Sequence, residues 1–391
     1  MTTSQTRLPR RQLLRGLLGG SAVLLLACRP GGTAAPVDEP TAPGAGAPDW
    51  QARWNALVEA ARKEGKVVVK GPPDPQVRID LPRAFRQRFG IELEYLGGPT
   101  GPFATQLLNE RQAGLYTTDV VLAGADSMYL AFYGEGVLQP LLPALIYPDA
   151  LDASKWPEGK LWFMDPEGQY ILRLNNSLLS MGQINTTYVR PEEITSWYDL
   201  LKPAYRERIA AFDPTVTGTG VGAAAYLYVS LGEEYVRRLY VDQKPALSRD
   251  DRQLTDWLAR GNYPIVMGGD FATPANVAEF EAAGVTIASL PRPPEAPGAV
   301  SPSFGLLGLV DQPPHPNAAQ VFVNWIAARE GMEVWSKAHM AVPIRTDIDK
   351  SYWPKDRVPD PSVKTYHDSF GWDFVLNERQ QVMSRLRELL R

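Results

Sequence analysis

Along residues 50–340 the apolar positions switch between two spacings. Trp50, Trp54, Leu57, Val58 and Ala61 recur at helical intervals behind Asp49, a capping residue type, and Gly65 can close that helix. The run Val67-Val68-Val69 follows as a short buried strand, stopped by Gly71-Pro72-Pro73. Residues 82–89 predict the next helix, with Phe85 and Phe89 inward, and residues 91–96 alternate with period two. A helix near 104–111 leads to an apolar strand at 119–123, then to a short helix over 127–133 closed by Gly134. Residues 143–186 are less periodic, with strand-like stretches at 156–163 and 169–174. The alternation then resumes: a helix near 196–200, a strand at 209–212, an apolar helix from Val221 to about Leu231, an amphipathic helix over 250–260 on Leu254, Trp257 and Leu258, and a strand at 264–267. Repeated strand–helix units predict an α/β fold with mostly parallel sheet and helices on both faces, here in two halves with a cleft between them.

In such sheets ligands bind beyond the carboxyl ends of the strands, so the loops at 71–74, 97–102 and 124–126 outline one cleft edge. Thr100 and Asp126 are its candidate ligand residues, although Asp126 before Ser127 equally suits a helix cap. In the second half, Thr217-Gly218-Thr219-Gly220 opens a helix. Free N–H groups, two hydroxyls and the positive end of the helix dipole favour an anion there, beside the simpler role of capping the helix. Asp270, in the loop Gly268-Gly269-Asp270-Phe271, faces the first edge from the other half, and Arg173 is either a hinge-side anion partner or a surface strand charge.

The N-terminus reads as an address. Arg7, Arg10, Arg11 and Arg15 precede an apolar run over 17–27 and the lone Cys28, the layout of an export signal. Leu25-Leu26-Ala27-Cys28 resembles a bacterial lipobox, which implies a lipid anchor on Cys28, and Pro9-Arg10-Arg11-Gln12-Leu13-Leu14-Arg15 resembles a twin-arginine export motif. Residues 28–49, rich in Pro, Gly and Ala, are a flexible tether. The expected location is therefore extracytoplasmic and membrane-anchored. Within 391 residues, 44% hydrophobic and 21% charged, there is room for two domains with cores. The 40 basic and 44 acidic residues give a net charge of −4; loss of residues 1–27 would remove four arginines and leave −8, so nucleic acid is not an expected partner. One cysteine and three histidines offer neither a disulfide nor a cysteine- or histidine-rich metal cage, and no cofactor is implied. No GxSxG elbow, HExxH or P-loop lysine marks an enzyme, and His315, in a Pro-rich stretch, is expected in a surface loop.

Several segments in order along residues 50–345 are similar to the extracellular solute-binding proteins of bacterial ABC importers, in the branch that includes ferric-ion-binding proteins. They are Trp54 with Ala61-Arg62-Lys63-Glu64-Gly65-Lys66, Leu108-Asn109-Glu110-Arg111-Gln112-Ala113-Gly114, Gly136-Val137-Leu138-Gln139-Pro140-Leu141, Trp197-Tyr198-Asp199-Leu200-Leu201-Lys202-Pro203 and Asn324-Trp325-Ile326. The resemblance implies a two-lobed periplasmic-binding-protein type II (Venus flytrap) body with hinge crossover strands. Lobe one would be 50–185 plus 300–340, lobe two 186–299, and 341–391 a C-terminal segment packed on the lobes. The first crossing is expected near 183–187 and the return near 301–308. It also implies a small-molecule solute and an ABC permease as partners. Iron in that branch is held by a tyrosine pair, whereas the corresponding loop here is Gly268-Gly269-Asp270-Phe271. An anionic or zwitterionic organic solute is therefore expected; a ferric-ion carrier, or a sensor or hydrolase on the same fold, are the alternatives.

Overall fold

Helix α1 (Trp50–Glu64) buries Trp54, Leu57, Val58 and Ala61 on one face and ends at Gly65, left-handed at φ 80°. Asp49 precedes it without a side-chain capping bond. The computed structural model describes residues 49–216, 219–269, 277–364 and 366–390, all within the unit Pro43–Arg391. The export signal, Cys28, Thr217, Gly218 and Asp270 lie outside the described residues, and of Thr219 only the backbone is described.

Lobe one continues with β1 (Lys66–Gly71), α2 (Pro75–Phe89), β2 (Glu92–Gly97), α3 (Thr100–Gln112), β3 (Val120–Ala123), β4 (Leu138–Gln139), α4 (Pro148–Leu151) and β5 (Ile171–Arg173). Helix α2 begins well before Pro82. Asp74 caps it by accepting from the Gln76 and Val77 N–H groups, Pro75 fits a first turn that needs no donor, and Pro82 is carried inside. Residues 156–163, expected as strand, make tight turns instead and reach the sheet only through a bridge from Phe163 to Leu172.

The chain then crosses at β6 (Ser177–Leu178) into β7 (Gly182–Asn185), β8 (Ile209–Phe212), α5 (Thr219–Leu231), α6 (Glu233–Arg237), β9 (Ala246–Ser248), α7 (Asp251–Arg260), β10 (Ile265–Met267), α8 (Val277–Ala282) and β11 (Ile287–Ser289). Their sheet has the order β11-β7-β10-β8-β9, with β8 parallel to β9 and β10 and β7 antiparallel to β10 and β11. The first crossing therefore precedes the expected one: Gln183 and Ile184 lie inside the lobe-two sheet, paired with Val266 and Ile265.

The return is β12 (Ala299–Ser301), followed by β13 (Leu306–Val310), α9 (Pro316–Ala327), α10 (Arg329–Ala338), β14 (His367–Asp368) and α11 (Arg379–Leu389). Strand β12 pairs antiparallel with β6 and parallel with β14, a three-stranded connection between the lobes. Strand β13 completes the lobe-one sheet, β2-β1-β3-β13-β4 with β5 also on β13, and runs antiparallel to β3, β4 and β5.

Each lobe has its own core. In lobe one Phe85, Phe322 and Trp325 meet between α2 and α9, with Phe85 and Phe322 ring centroids 5.5 Å apart at 73°, and Trp335 is buried with them. In lobe two Trp197, Tyr226, Tyr235 and Leu239 pack around α5. Burial of such side chains stabilises each lobe by about 2 kcal/mol apiece. His315 is not a free surface group: its N–H and Nδ1 lie 2.7 and 2.9 Å from the fully buried Asp119 carboxylate, which also accepts from Val68 N–H at 2.7 Å. Burial raises the Asp119 pKa, against these bonds. The carboxylate ties β1, β3 and the start of α9 together.

Candidate functional site

Where the strand ends of the two lobes face each other there is a cleft of about 760 Å³. Lobe one contributes Thr100, Gly124, Ala125, Asp126 and Ser127 from the ends of β2 and β3, and Ser303 and Phe304 from the turn between β12 and β13. Lobe two contributes Leu179, Ser180, Gly269 and the first turns of α5, at Val221, Gly222 and Ala225. The third wall is the C-terminal segment: Ser369, Phe370, Phe374, Arg379 and Met383. Two other cavities, of about 300 and 430 Å³, lie beside Trp54, Arg88 and Tyr147, away from the strand ends.

The candidate residues fare differently. Thr100 lines the cleft and its Oγ1 is 3.0 Å from Ser127 Oγ, which joins the first turn of α3 to the π-helical turn Ser127–Tyr133. Asp126 also lines the cleft, but it makes no capping bond; its carboxylate is ion-paired with Arg379 of α11. Arg173 is a correction. Its side chain is fully buried, and its three nitrogens are used on Asn175 O at 2.9 Å, Asp368 Oδ2 at 2.7 Å and Asn176 Oδ1 at 2.6 Å. It is neither a surface charge nor part of the cleft lining; it welds β5 to β14. Thr219 N-terminates α5 beside the lining residues Val221 and Gly222, while Thr217, Gly218 and Asp270 fall outside the described residues.

The glycines of this region divide by role. A Cβ on Gly220 would stand 2.5 Å from Phe212 O, and Gly268, at φ 88°, has its own Cβ position 2.9 Å from Gly220 Cα. Their bareness lets α5 sit tight on the ends of β8 and β10. Gly222, one step along, meets only Leu179 Cδ2 at 3.6 Å and opens onto the cleft.

Several cleft groups carry no signal in the sequence pattern. His339, after α10, stacks on Trp335 with ring centroids 4.9 Å apart, and its Nδ1 is 3.2 Å from Asp74 Oδ2. Burial pushes the Asp74 carboxyl up, but His339 and the Val77 and Gln76 N–H groups outweigh it and hold the group below its usual value. Ser303 at φ 52° and Met340 at φ 51° line the cleft in the left-handed region that side chains other than glycine rarely adopt, a strain that gathers at ligand sites. The turn through Ser303 comes up at Gly305 against Asn175, fully buried, which accepts from Trp335 Nε1 at 2.6 Å and donates to Ser336 Oγ at 2.9 Å. Gly305 passes so close that a Cβ would lie 2.1 Å from Asn175 Oδ1. In the C-terminal wall burial lowers the Arg379 pKa, and Arg357 is lowered for the same reason. Periodicity assigns 341–391 no element, so Arg357 and Arg379 carry no signal there.

Among the described residues the cleft lining holds one carboxylate, Asp126, against the guanidiniums of Arg357 and Arg379, with apolar and hydroxyl-bearing residues around them. Among the described residues no group of three or more His, Cys, Asp or Glu could hold a metal ion, and no helix is long and apolar enough to cross a membrane.

Solved structures share this architecture at low identity. Iron-bound HitA from Pseudomonas aeruginosa is similar with a TM-score of 0.59 and 16% identity, over 83% of this chain and 99% of that one. AfuA from Actinobacillus pleuropneumoniae, with fructose-6-phosphate bound, gives 0.57 and 16% over 83% and 98%. A putative extracellular solute-binding protein from Bordetella parapertussis gives 0.63 and 14% over 84% and 100%. No curated protein matches the sequence. The sequence itself matches the family described as bacterial extracellular solute-binding protein over residues 47–333. With two lobes, a cleft at facing strand ends and that match over well more than half its length, the chain belongs to the bacterial extracellular solute-binding proteins.

Proposed function

We infer that this protein is the capture component of an ABC importer, held outside the cytoplasm by a lipid on Cys28, and that it takes a small anionic or zwitterionic organic solute. The observation that carries the solute class is the described lining of the cleft: one carboxylate, two guanidiniums, hydroxyls that include Thr100, Ser127 and Ser369, the polar side chains of His339 and Gln380, and apolar surface between them. A ferric ion calls for several hard anionic oxygens, and Asp126 is the only carboxylate among the described lining residues. A purely cationic solute would find, among the described lining residues, two guanidiniums and one carboxylate. That balance suits organic anions, and a volume of about 760 Å³ suits a molecule with a carbon body better than a single ion. That solved neighbours hold iron in one case and a sugar phosphate in another fits a fold whose solute is set by its lining.

No bond is made or broken. Solute enters between lobes, contacts to both lobes at once exist only in the closed form, and that difference in affinity draws the hinge shut. The closed body is then what a permease recognises. A thermal-shift screen with carboxylates, phosphonates, polyamines and ferric salts, followed by native mass spectrometry of the purified protein, tests this. Stabilisation by organic anions or zwitterions is the expected result. A tightly held ferric ion, or stabilisation by polyamines alone, overturns the reading.

A further inference from the structure

Resting on that reading of the cleft, the pairing at Asp126 narrows the class of solute. Arg379, in the first turn of α11, lies in the cleft wall and gives Nη2 to Asp126 Oδ1. Its Nε is buried with no hydrogen-bond partner. Ser369 Oγ, on a residue only 3% exposed in the same wall, is also without one. Buried donors are seldom left unmade, and two of them lining one cleft mark a place where a bound molecule supplies acceptors. The Asp126 side chain is 47% exposed, and its pairing with Arg379 occupies Oδ1, not Oδ2.

We propose that Arg379, Ser369 and Asp126 form a head-group subsite for a zwitterion, an ammonium and a carboxylate at one end of an apolar body. The carboxylate takes the unpartnered Nε edge of Arg379 and the Ser369 hydroxyl; the ammonium takes Asp126. Arg379 alone would accept any anion. Asp126 in contact with it penalises a second negative charge brought to the same spot and rewards a positive one, so the pair selects against dianions as well as for the zwitterion. A neutral pair receiving a neutral zwitterion buries no net charge. Leu130 and Phe304 of lobe one, Val221 and Leu179 of lobe two, and Phe374 and Met383 of the C-terminal wall offer apolar surface to the body of the molecule.

Four probes with one phenyl body separate the possibilities by calorimetry on the full-length protein: phenylalanine, 3-phenylpropionate, 2-phenylethylamine and benzylsuccinate. Phenylalanine is expected to bind at least about tenfold more tightly than the other three, a difference of about one decade in Kd. Arg379→Gln should lower the affinity of both phenylalanine and phenylpropionate by about tenfold or more, whereas Asp126→Asn should weaken phenylalanine and leave phenylpropionate unchanged or tighter. Asp126 is half-exposed, so this second variant reads the subsite even if Arg379→Gln fails to fold by circular dichroism. Equal binding of phenylalanine and phenylpropionate, preference for benzylsuccinate, indifference to Asp126→Asn, or no binding of any probe overturns the head-group subsite. Anion binding without zwitterion preference would still leave the capture function standing; polyamine-only or ferric binding in the broader screen would remove that too.

Discussion

Arg173 and His367 carry opposite lessons about charge inside this protein. Arg173 is a fully buried cation whose nitrogens meet a carboxylate, an amide oxygen and a backbone carbonyl. Removing it strands Asp368 and two acceptors, so Arg173→Met should destabilise the fold by about 3 kcal/mol, read as a lower urea midpoint with an unchanged slope. His367 is the reverse, an imidazole better off neutral. It packs edge-on against Phe374 with ring centroids 4.7 Å apart, and its Nε2 is buried without a partner. Burial depresses its pKa from the ordinary 6.5, against Asp368 and Glu378, which pull the other way. Above about pH 6.5 neither folded nor unfolded chain protonates this group; as pH falls below that value the unfolded chain binds the proton first, and stability is lost. His367→Phe is expected to flatten the fall in stability between about pH 7 and pH 5 in urea titrations followed by fluorescence. Of the two residues, Arg173 looked in sequence like a strand charge because its burial depends on Asp368, nearly the length of two domains away along the chain.

At the scale of elements, α5 is the working piece. Gly220 lets it dock on β8, and Gly222 leaves the cleft open in front of it. Gly222→Leu should therefore fill the cleft, lowering affinity for any solute found in the screen by about tenfold or more while thermal unfolding of the unliganded protein shifts little. Elements with strong local signals were legible before any coordinates. Helix α7 sits on Leu254 and Leu258 behind an Asp250 cap, and β1, β2 and β3 follow their runs of valine, leucine and tyrosine. Two of the three strand-end loops marked in advance, through Thr100 and Asp126, do line the cleft, because their position follows from topology. The first does so only indirectly, through the Asp74 contact with His339. What could not be read was non-local: the third wall, the close approach of Gly305 to Asn175, and the true start of α2, where Pro82 was the louder signal and Asp74-Pro75 the operative one.

Across the whole molecule the C-terminal segment belongs to neither lobe alone. Trp372 packs at a tilt of 51° against Tyr129 of lobe one with centroids 4.9 Å apart, α11 packs on α5 of lobe two, and β14 extends the connection formed by β6 and β12. The anchor is a separate matter. Cys28→Ser is expected to abolish incorporation of labelled fatty acid and release the protein from the membrane fraction, whereas retention of both would show that attachment lies elsewhere.

Strand β13 also dictates an order of assembly. Every lobe-two strand from β7 to β11 is made from one continuous stretch, yet β4, β5 and one edge of β3 in lobe one wait for β13, which a ribosome delivers only after all of those strands. The sheet of the later-numbered half can thus form while the earlier-numbered half still exposes unpaired strand edges, the state most prone to sticking to its neighbours. A nascent chain of this design is vulnerable longest at the end it begins with.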